Sequence, residues 1–570
     1  MNVARLAVAA LLAVTVSAGR ARAELPYPAT HGEWHEVTTS RFRVYSDAGV
    51  APATRAARHL ERLAEAMEKT RAGLRVDSTR KVCVYAFRDA ESFRPYVENA
   101  GDDYGTTVGY QLAGCDVDYL MYFIVPGNRS LAFASHEFTH AAVSRTLGRM
   151  PVWVSEGLAE YFSTFESRAR RAQIGRPVPG SRRRLRDRVQ PLSTFLLVGQ
   201  NSPEYSHGPH RSLLYAQSWE LVHMLLQDDE TGPARFQTLL RRLAAGVPSA
   251  DALAQLYGPG AVDSLERRLR RRVFETAVRY QDYDFDSAFV TVPVRARALE
   301  RAETQLLLGE LLAHAYDSQL PEAERHLVAA WRADSSQPRA AALLAHVAAR
   351  RGDSEAAARW AGVVARAPSA DARAAGIAAD ALARRWRRRR ETLPWPAAGP
   401  SPHESLARSL YERALAMEPG NDTWLAGYAM TFLDDTMGVA GASAALARAQ
   451  ERWPPRSDMA GAQSILAMRA GDVAGAMRWY RDIPGGDERL YWRGQAGTLI
   501  ANAGFRSSAD QARAGRAAVA ESSLVSLRRT VGEPGVARIC DERLRALREQ
   551  REIPESARES RANNARRIQL

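Results

Sequence analysis

Cysteine is scarce in this sequence, with three among 570 residues: Cys83, Cys115 and Cys540. Three scattered cysteines exclude both a disulfide framework and a cysteine-rich zinc site. In an oxidising compartment Cys83 and Cys115 could pair, and two isolated buried thiols are an equally acceptable interpretation. In either case Cys540 has no cysteine partner.

Lysine is scarcer still, because Lys69 and Lys81 are the only two in the chain. The formal net charge is nevertheless +13 at pH 7, since arginine supplies nearly all of the positive charge and is spread along the whole sequence. A nucleic-acid surface would instead concentrate basic residues and interleave them with aromatic ones, and no such compact patch is found. We therefore expect no nucleic-acid partner.

Long hydrophobic runs are absent beyond the first residues, so we expect no transmembrane segment in the mature chain. The beginning, "MNVARLAVAALLAVTVSAGRARA", has a basic residue, an apolar run from Leu6 to Ala18 and a small-x-small site before Glu24. This pattern predicts a cleaved signal peptide at 1–23, because the apolar run is shorter than the roughly 20 residues of a spanning helix. The mature protein is then expected to be periplasmic or secreted in a bacterium.

The chain is too long for a single core, and its composition changes near the middle. The first half alternates strand-like and helix-like patterns and predicts an α+β domain, whereas the second half is rich in alanine and predicts helices only. The predicted divisions are a signal peptide (1–23), an α+β domain (24–290), helical repeats (296–490), a further helical region (491–550) and a disordered tail (551–570).

The second half repeats a pattern of small, large and small residues, four and then three positions apart. The pattern starts at Ala323, Ala356, Ala407, Ala442 and Ala476, and several copies end in proline. A period near 34 residues resembles tetratricopeptide repeats, which are helix pairs that bury their apolar faces by stacking. One interval is longer, and its arginine- and proline-rich insertion at 384–402 predicts an exposed loop. Generic alanine-rich helices are the alternative interpretation.

The stretch "SHEFTHAAVSRTLGRMPVWVSEGLAEYF" contains two histidines and three carboxylates. It follows an apolar strand and a turn, which predicts a helix that ends at Gly148. On this helix His136 and His140 project from the same face, so both imidazoles can reach one metal ion, for which zinc is the natural candidate. Glu137 is close enough to take a proton from a water molecule at the metal.

Catalytic zinc usually has three protein ligands and one open position. Glu156 supplies the third ligand if a second helix, beginning at Pro151, folds back on the first. One turn further, Glu160 could accept a hydrogen bond from the outer nitrogen of a ligand imidazole. The alternative is an amphipathic helix pair without a metal, in which these side chains only meet solvent.

These residues carry a family resemblance. "HEFTH" followed by "PVWVSEGLAEYF" resembles the gluzincin clan of zinc metallopeptidases, and most closely the bacterial peptidase MA-like domains that are often joined to tetratricopeptide repeats. The resemblance implies a zincin-like α+β catalytic domain followed by an all-α repeat domain. It also implies one Zn²⁺ per chain bound by His136, His140 and Glu156, with Glu137 as the general base and Glu160 behind a ligand histidine.

The resemblance extends from Trp34 to Tyr280 and is specific only over 135–162. Two features depart from better-known members of the clan. Fifteen residues separate His140 from Glu156, fewer than in thermolysin-like enzymes or alanyl aminopeptidases. The Gly-x-Met-Glu-Asn element with which those aminopeptidases recognise a free amino terminus is absent, so the sequence gives no support for exopeptidase activity.

Enzymes of this family usually stabilise the tetrahedral oxyanion with a tyrosine or histidine. Tyr215, in "LLYAQSWELVHML", lies on a later predicted helix, and we assign it this catalytic role. Tyr205, His207 and His210 are rival candidates. For each of them a role in packing or at the surface is the alternative.

The sequence thus predicts an exported zinc metallopeptidase that hydrolyses a peptide or protein substrate, with repeats that bind a protein partner. The strand near "DYLMYFIV" could align the substrate by backbone pairing. A second hypothesis follows from the length of the repeat region. The protein could instead be an interaction scaffold of the cell envelope, with a peptidase-like domain of little or no activity.

Overall fold

A computed structural model describes residues 30–552 except for 31, 71, 75, 77–80, 98–108, 115, 127–128, 149, 179, 187, 200–201, 207, 228–229, 276, 286–291, 390–401, 433–438, 451–456, 471, 482–486 and 532–533. The predicted signal peptide, residues 553–570 of the predicted tail, Cys115 and His207 lie outside the described residues. Within them the chain is mostly helical, with a small mixed sheet in its first half.

Six strands form the main sheet in the order β4-β5-β3-β2-β1-β9. Their bounds are His35–Thr38 (β1), Phe42–Ser46 (β2), Val82–Phe87 (β3), Gly109–Ala113 (β4), Asp118–Phe123 (β5) and Arg295–Ala298 (β9). β2, β3 and β5 run parallel, and β4, β1 and β9 pair antiparallel to their neighbours. Every residue of β3 is buried, as expected for a strand whose sheet is covered on both faces.

Helices cover the first face of the sheet and enclose one hydrophobic core, which we call the front core. α1 (Val50–Lys69) contacts β1 and β2, and α3 (Arg129–Leu147) contacts β4 and β5. In α1 the buried residues recur three or four positions apart, at Ala53, Ala57, Leu60, Ala64 and Met67. Val82, Val84 and Ala86 of β3 meet this apolar stripe in the front core. Every second side chain of the strand therefore faces the helix side that carries the buried residues.

The first half also contains further helices and a second sheet. The helices are α2 (Ala90–Phe93), α4 (Val152–Ser163), α5 (Ser181–Leu185), α6 (Leu192–Phe195), α7 (Pro203–Ser206), α8 (Gly208–Gln227), α9 (Gly232–Ala244), α10 (Ser249–Tyr257) and α11 (Ala261–Arg272), with a 3₁₀ turn at Arg94–Tyr96. A second antiparallel sheet has the order β6-β7-β8, formed by Glu166–Arg168, Arg171–Ile174 and Gln281–Asp284. α4 packs between α3 and α8.

The second half is a series of helices, here called the helical array. Its members are α12 (Arg301–His314), α13 (Leu320–Ala333), α14 (Pro338–Arg350), α15 (Ser354–Arg366), α16 (Ala372–Arg389), α17 (Pro402–Met417), α18 (Asp422–Met430), α19 (Val439–Gln450), α20 (Ser457–Arg469), α21 (Val473–Arg481), α22 (Asp487–Arg513), α23 (Ala517–Val531) and α24 (Pro534–Glu552), with a 3₁₀ turn at Asp317–Gln319. Each helix packs mainly on helices one or two positions away along the chain.

The first helices of the array cover the second face of the main sheet. The side chains of β3 that point away from the front core, Cys83, Tyr85 and Phe87, join a second cluster, which we call the back core. The back core also contains leucines of α12 and α14, among them Leu308, Leu311, Leu343 and Leu344. The sheet and the start of the array therefore share one continuous hydrophobic core.

An ion cluster is buried inside this shared region. Glu310 of α12 is fully buried and pairs with Arg373 of α16 at 2.6 Å and with Arg339 of α14. The hydroxyl of Tyr119 in β5 donates to Glu310 at 2.6 Å. Burial opposes ionisation of Glu310, yet the two guanidinium groups bring its pKa well below the usual range, so the carboxylate stays charged.

The structure differs from the sequence predictions at several points. β9 overlaps the predicted start of the repeats at 296, yet it pairs with β1 at the edge of the main sheet. The first part of the predicted loop at 384–402 is helical, since α16 continues to Arg389. In α15 the buried residues are Ala357, Ala361 and Val364. Each lies one position after the corresponding residue of the predicted repeat pattern, which starts at Ala356.

Two further predictions concern cysteines and membranes. Cys83 is buried and carries no disulfide, in agreement with the isolated-thiol interpretation for this residue. Throughout the described ranges, no helix combines the length and the apolar character needed to cross a bilayer.

Candidate metal centre

The two histidines of the motif lie on α3, which is buried along most of its length. Two of its hydroxyls are satisfied within the helix, since those of Ser135 and Thr139 donate to carbonyls one turn earlier, at 2.8 and 2.7 Å. The helix ends at Gly148, whose φ of +72° suits a residue without a side chain. Pro151 is the N-cap residue of α4, which returns across α3.

Three donor atoms from these two helices converge on one point. The Nε2 atoms of His136 and His140 are 3.1 Å apart. They lie 3.4 and 3.6 Å from Oε2 of Glu156, respectively. Tetrahedral ligands at zinc bond lengths of about 2.0 to 2.1 Å are separated by about 3.3 to 3.5 Å. The three atoms therefore have nearly the spacing that one zinc ion requires.

The outer nitrogens of both histidines are held by α4. Nδ1 of His136 is 3.3 Å from Oε1 of Glu160, the partner that the sequence predicted for a ligand histidine. Nδ1 of His140 is 2.9 Å from the hydroxyl of Ser155, a contact that the sequence analysis missed. These contacts leave Nε2 of each ring directed to the shared point, as in metal-binding histidines with an outer partner.

Glu156 is only 2% exposed, and its two oxygens have different surroundings. Oε1 accepts a hydrogen bond of 3.1 Å from the hydroxyl of Tyr205. Oε2, which faces the histidines, is buried without a hydrogen-bond partner. An unsatisfied buried carboxylate oxygen is costly, and a cation at the point shared with the histidines would satisfy it. The residues present therefore fit a metal.

The pKa values of these groups reflect their proximity and burial. Burial opposes the charge of Glu156, but the adjacent His140 and His136 lower the pKa of its carboxyl far below the usual range. Burial likewise disfavours protonated His136, whereas the adjacent carboxylates of Glu156 and Glu160 raise its pKa well above the usual value. The site therefore attracts positive charge, whether a proton or a metal ion.

Glu137 follows the first histidine and faces strand β4. A Cβ atom at Gly109 would lie only 3.2 Å from Cγ of Glu137 and 3.4 Å from its Oε1. The strand can run this close to the carboxylate because glycine has no side chain. Burial raises the pKa of Glu137, although the two nearby histidines oppose this effect. A raised pKa suits a general base.

The strand beside the site differs from the one that the sequence indicated. β5, which contains most of "DYLMYFIV", lies between β4 and β3 and has neighbours on both sides. Its backbone groups are therefore already paired, and it cannot align a substrate. β4 is at the edge of the sheet among the described residues, so the available backbone groups next to Glu137 belong to this strand.

Two tyrosines lie next to the proposed ligands. The ring of Tyr215, on α8, has its centroid 5.7 Å from that of His136. Burial and the charge of Glu156 raise the pKa of Tyr215 well above its usual value, so its hydroxyl stays protonated. The hydroxyl of Tyr205 is already engaged with Glu156. Of the other candidates, His210 is exposed and His207 is outside the described residues.

Comparisons with known proteins add no relative to this picture. No model of a known protein family matches the sequence. No curated protein matches it significantly either. The geometry of the site therefore carries the functional argument.

Proposed function

We propose that this protein is an exported zinc-dependent metallopeptidase with a zincin-like catalytic domain. The convergence of Nε2 of His136, Nε2 of His140 and the unpartnered Oε2 of Glu156 carries the proposal. Two imidazoles and one carboxylate form the donor set of several catalytic zinc sites. Zinc bound there would supply a Lewis acid that polarises the scissile carbonyl.

The chain's own residues would perform the remaining chemistry. Glu137 takes a proton from the attacking water and later delivers it to the departing amine, for which its raised pKa is suitable. Tyr215, protonated at neutral pH, donates a hydrogen bond to the oxygen on which negative charge develops. β4, the edge strand of the main sheet among the described residues, pairs with an extended substrate backbone beside Glu137.

Metal analysis tests the site first. We expect about one zinc per chain in the purified mature protein after dialysis, and its loss in His140→Ala. His210→Ala removes an exposed histidine of α8 and serves as the matched control that keeps the metal. A wild-type protein that binds no zinc, even when zinc is added, would contradict the proposal.

Turnover of a peptide library tests the mechanism. Glu137→Gln keeps the size of the side chain but not its basicity, so we expect zinc to be retained and turnover to fall by about 10² to 10⁴-fold. Glu91→Gln changes an exposed carboxylate in α2 and should leave turnover unchanged. Equal turnover by wild type and Glu137→Gln would refute the role of Glu137 as base.

The helical array supports a second role in the same protein, because stacked helix pairs of tetratricopeptide type form extended surfaces for protein partners. The alternative function, an envelope scaffold with an inactive peptidase-like domain, rests on the length of this array, from α12 to α24. A partner captured by the array, together with identical substrate processing by wild type and Glu137→Gln, would favour the scaffold. Cleavage that needs Glu137 favours the enzyme.

A further inference from the structure

The β4–β5 hairpin is the part of the main sheet that lies closest to Glu137. Among the described residues β4 pairs only with β5, in an antiparallel register that joins Gly109 to Tyr122 and Ala113 to Asp118. The hairpin closes with a hydrogen bond of 2.9 Å from the amide of Gly114 to the carbonyl of Val117. The position of β4 beside Glu137 therefore depends on what anchors this turn.

The anchor comes from the helical array. Asp116, in the turn, is only 6% exposed, and both of its carboxylate oxygens accept hydrogen bonds from the guanidinium of Arg373, one of them at 3.1 Å. Arg373 also donates to the hydroxyl of Tyr119 in β5 at 2.9 Å and pairs with Glu310 at 2.6 Å. One side chain of α16 thus connects the turn, β5 and α12.

A second contact ties β4 itself to the array. The hydroxyl of Tyr316, in the turn after α12, donates to the hydroxyl of Tyr110 in β4. The two rings pack edge to face with centroids 6.0 Å apart. Because Tyr110 is next to Gly109, this contact lies one residue away from the position beside Glu137.

We propose that Arg373 is a positioning residue of the active site, which fixes the substrate-facing strand β4 by holding its hairpin to the helical array. A guanidinium suits this role because its planar fork can hold a carboxylate with two hydrogen bonds in one orientation. The ion pair is buried, so water does not screen it or replace it. The array then acts as part of the catalytic unit.

Arg339 provides a matched comparison within the same cluster. It pairs with Glu310, as Arg373 does, and it is also an arginine of the array. Among the described residues Arg339 donates no hydrogen bond to the hairpin, whereas Arg373 donates to both Asp116 and Tyr119. Loss of either arginine disturbs the charge balance of the buried cluster. Only loss of Arg373 should release β4.

Amide hydrogen exchange of the full-length protein tests the anchor without any need for activity. We compare two variants of the anchor with Arg339→Lys. Arg373→Lys keeps the positive charge of the side chain, and Asp116→Asn keeps its shape. We expect exchange in residues 109–123 to become at least about 10-fold faster in the first two variants and to stay near wild type in Arg339→Lys. An unchanged hairpin in Arg373→Lys and Asp116→Asn, or an equal effect in all three variants, would overturn the proposal.

Kinetics tests the consequence for substrate and rests on the proposed peptidase function. A displaced β4 weakens alignment of the substrate but leaves the metal ligands in position. We therefore expect KM to rise about 10-fold in Arg373→Lys, with kcat and zinc content within about twofold of wild type. A fall in kcat with unchanged KM would overturn the assignment. If the wild type cleaves no peptide, the proposed function fails, and the exchange experiment still decides whether Arg373 anchors the hairpin.

Discussion

At the scale of single residues, each proposed metal ligand is held by a second side chain. Glu160 and Ser155 hold the outer nitrogens of His136 and His140, and Tyr205 holds the outer oxygen of Glu156. Such outer contacts fix the orientation of a ligand before the metal arrives. The donor atoms therefore stay together through contacts made within the protein.

The two tyrosines beside the site have separable roles. Tyr205→Phe removes the hydrogen bond to Glu156, so we expect zinc affinity to fall about 10-fold. Tyr215→Phe removes a proposed oxyanion donor, and we expect turnover to fall about 10²-fold with zinc affinity unchanged. Zinc titration and steady-state kinetics of both variants check this division. The reverse pattern would assign the catalytic hydroxyl to Tyr205.

A buried histidine of the array predicts how stability depends on pH. His326 is only 3% exposed, and its Nδ1 is 2.6 Å from the side-chain oxygen of Gln305. Burial, aided by Arg325, lowers the pKa of His326 from 6.5 to about 4. Below pH 6.5 the unfolded chain takes up a proton that the folded protein does not bind. The contribution of this histidine to the free energy of unfolding is thus lost as the pH falls from about 6.5 to about 4.

His326→Asn keeps a donor for Gln305 and removes the titration. Between pH 7 and pH 4.5 we expect the free energy of unfolding to fall by about 2 kcal/mol less in this variant than in wild type. Urea denaturation at the two pH values measures the difference. Parallel curves for the two proteins would mean that His326 does not titrate in this range.

The sequence predicted part of the site at this scale. His136, Glu137 and His140 follow from helical spacing, whereas Glu156 and Glu160 follow from a second helix that folds back on the first. The structure brings all five together. The two missed contacts have different causes. The hydroxyl of Ser155 depends on the rotation of α4 against α3, and Tyr205 is distant in sequence and belongs to a short helix before α8. Neither is encoded by a local pattern.

At the scale of elements, a single glycine sets the approach of α4 to α8. A Cβ atom at Gly157 would lie 2.4 Å from Cγ2 of Val222 and 2.5 Å from the carbonyl oxygen of Ser218. We expect Gly157→Ala to lower the free energy of unfolding by about 1 to 3 kcal/mol through overpacking. Zinc affinity should fall too, because Glu156 is the adjacent residue. Thermal unfolding and zinc titration measure both effects.

Gly441 in α19 is the matched control, since a Cβ atom there would meet no atom within 4 Å. Gly441→Ala should be neutral or should stabilise the protein by up to about 1 kcal/mol, because alanine favours a helix. An equal loss of stability in both variants would show that helix propensity or an unrelated effect, rather than the α4–α8 contact, determines the result at Gly157.

Elements with clear sequence signals were predictable, and short edge strands were not. α3 and α4 follow from the turn before α3, from Gly148 and from Pro151, and the structure contains both helices. β4 has only five residues and begins with glycine, while β9 reads "RARA" and is exposed at every position. Edge strands with such sequences lack the apolar alternation on which prediction depends. Both strands are therefore recognised only through their pairing.

At the scale of the whole molecule, the sheet is covered on one face by α1 and α3 and on the other by the helical array. We expect a fragment of residues 24–299 to aggregate or fail to fold, because the aromatic face of β3 would meet water. A fragment of residues 24–432 keeps α12–α18 and should remain soluble and bind zinc. Circular dichroism and zinc content of both fragments check this. A folded, zinc-binding 24–299 fragment would contradict it.

The sequence predicted the division into a mixed first half and a helical second half, which the structure has. It did not predict that the two halves share the back core. Periodicity identifies which residues of an element are buried, but it does not identify which other element buries them. The aromatic residues Tyr85 and Phe87 alternate like those of any buried strand, and their contacts with the array depend on tertiary packing alone.

The back core also has a consequence for the order in which the protein is made. β5 ends at Phe123, whereas the first leucines that cover its second face begin at Leu306, which is 306 − 123 = 183 residues later. At a synthesis rate of roughly 5 to 20 residues per second, this interval lasts roughly 10 to 40 s. The nascent chain thus holds an unfinished sheet until the ribosome has made α12. If the proposed export is correct, the delay keeps the chain unfolded while a translocase receives it.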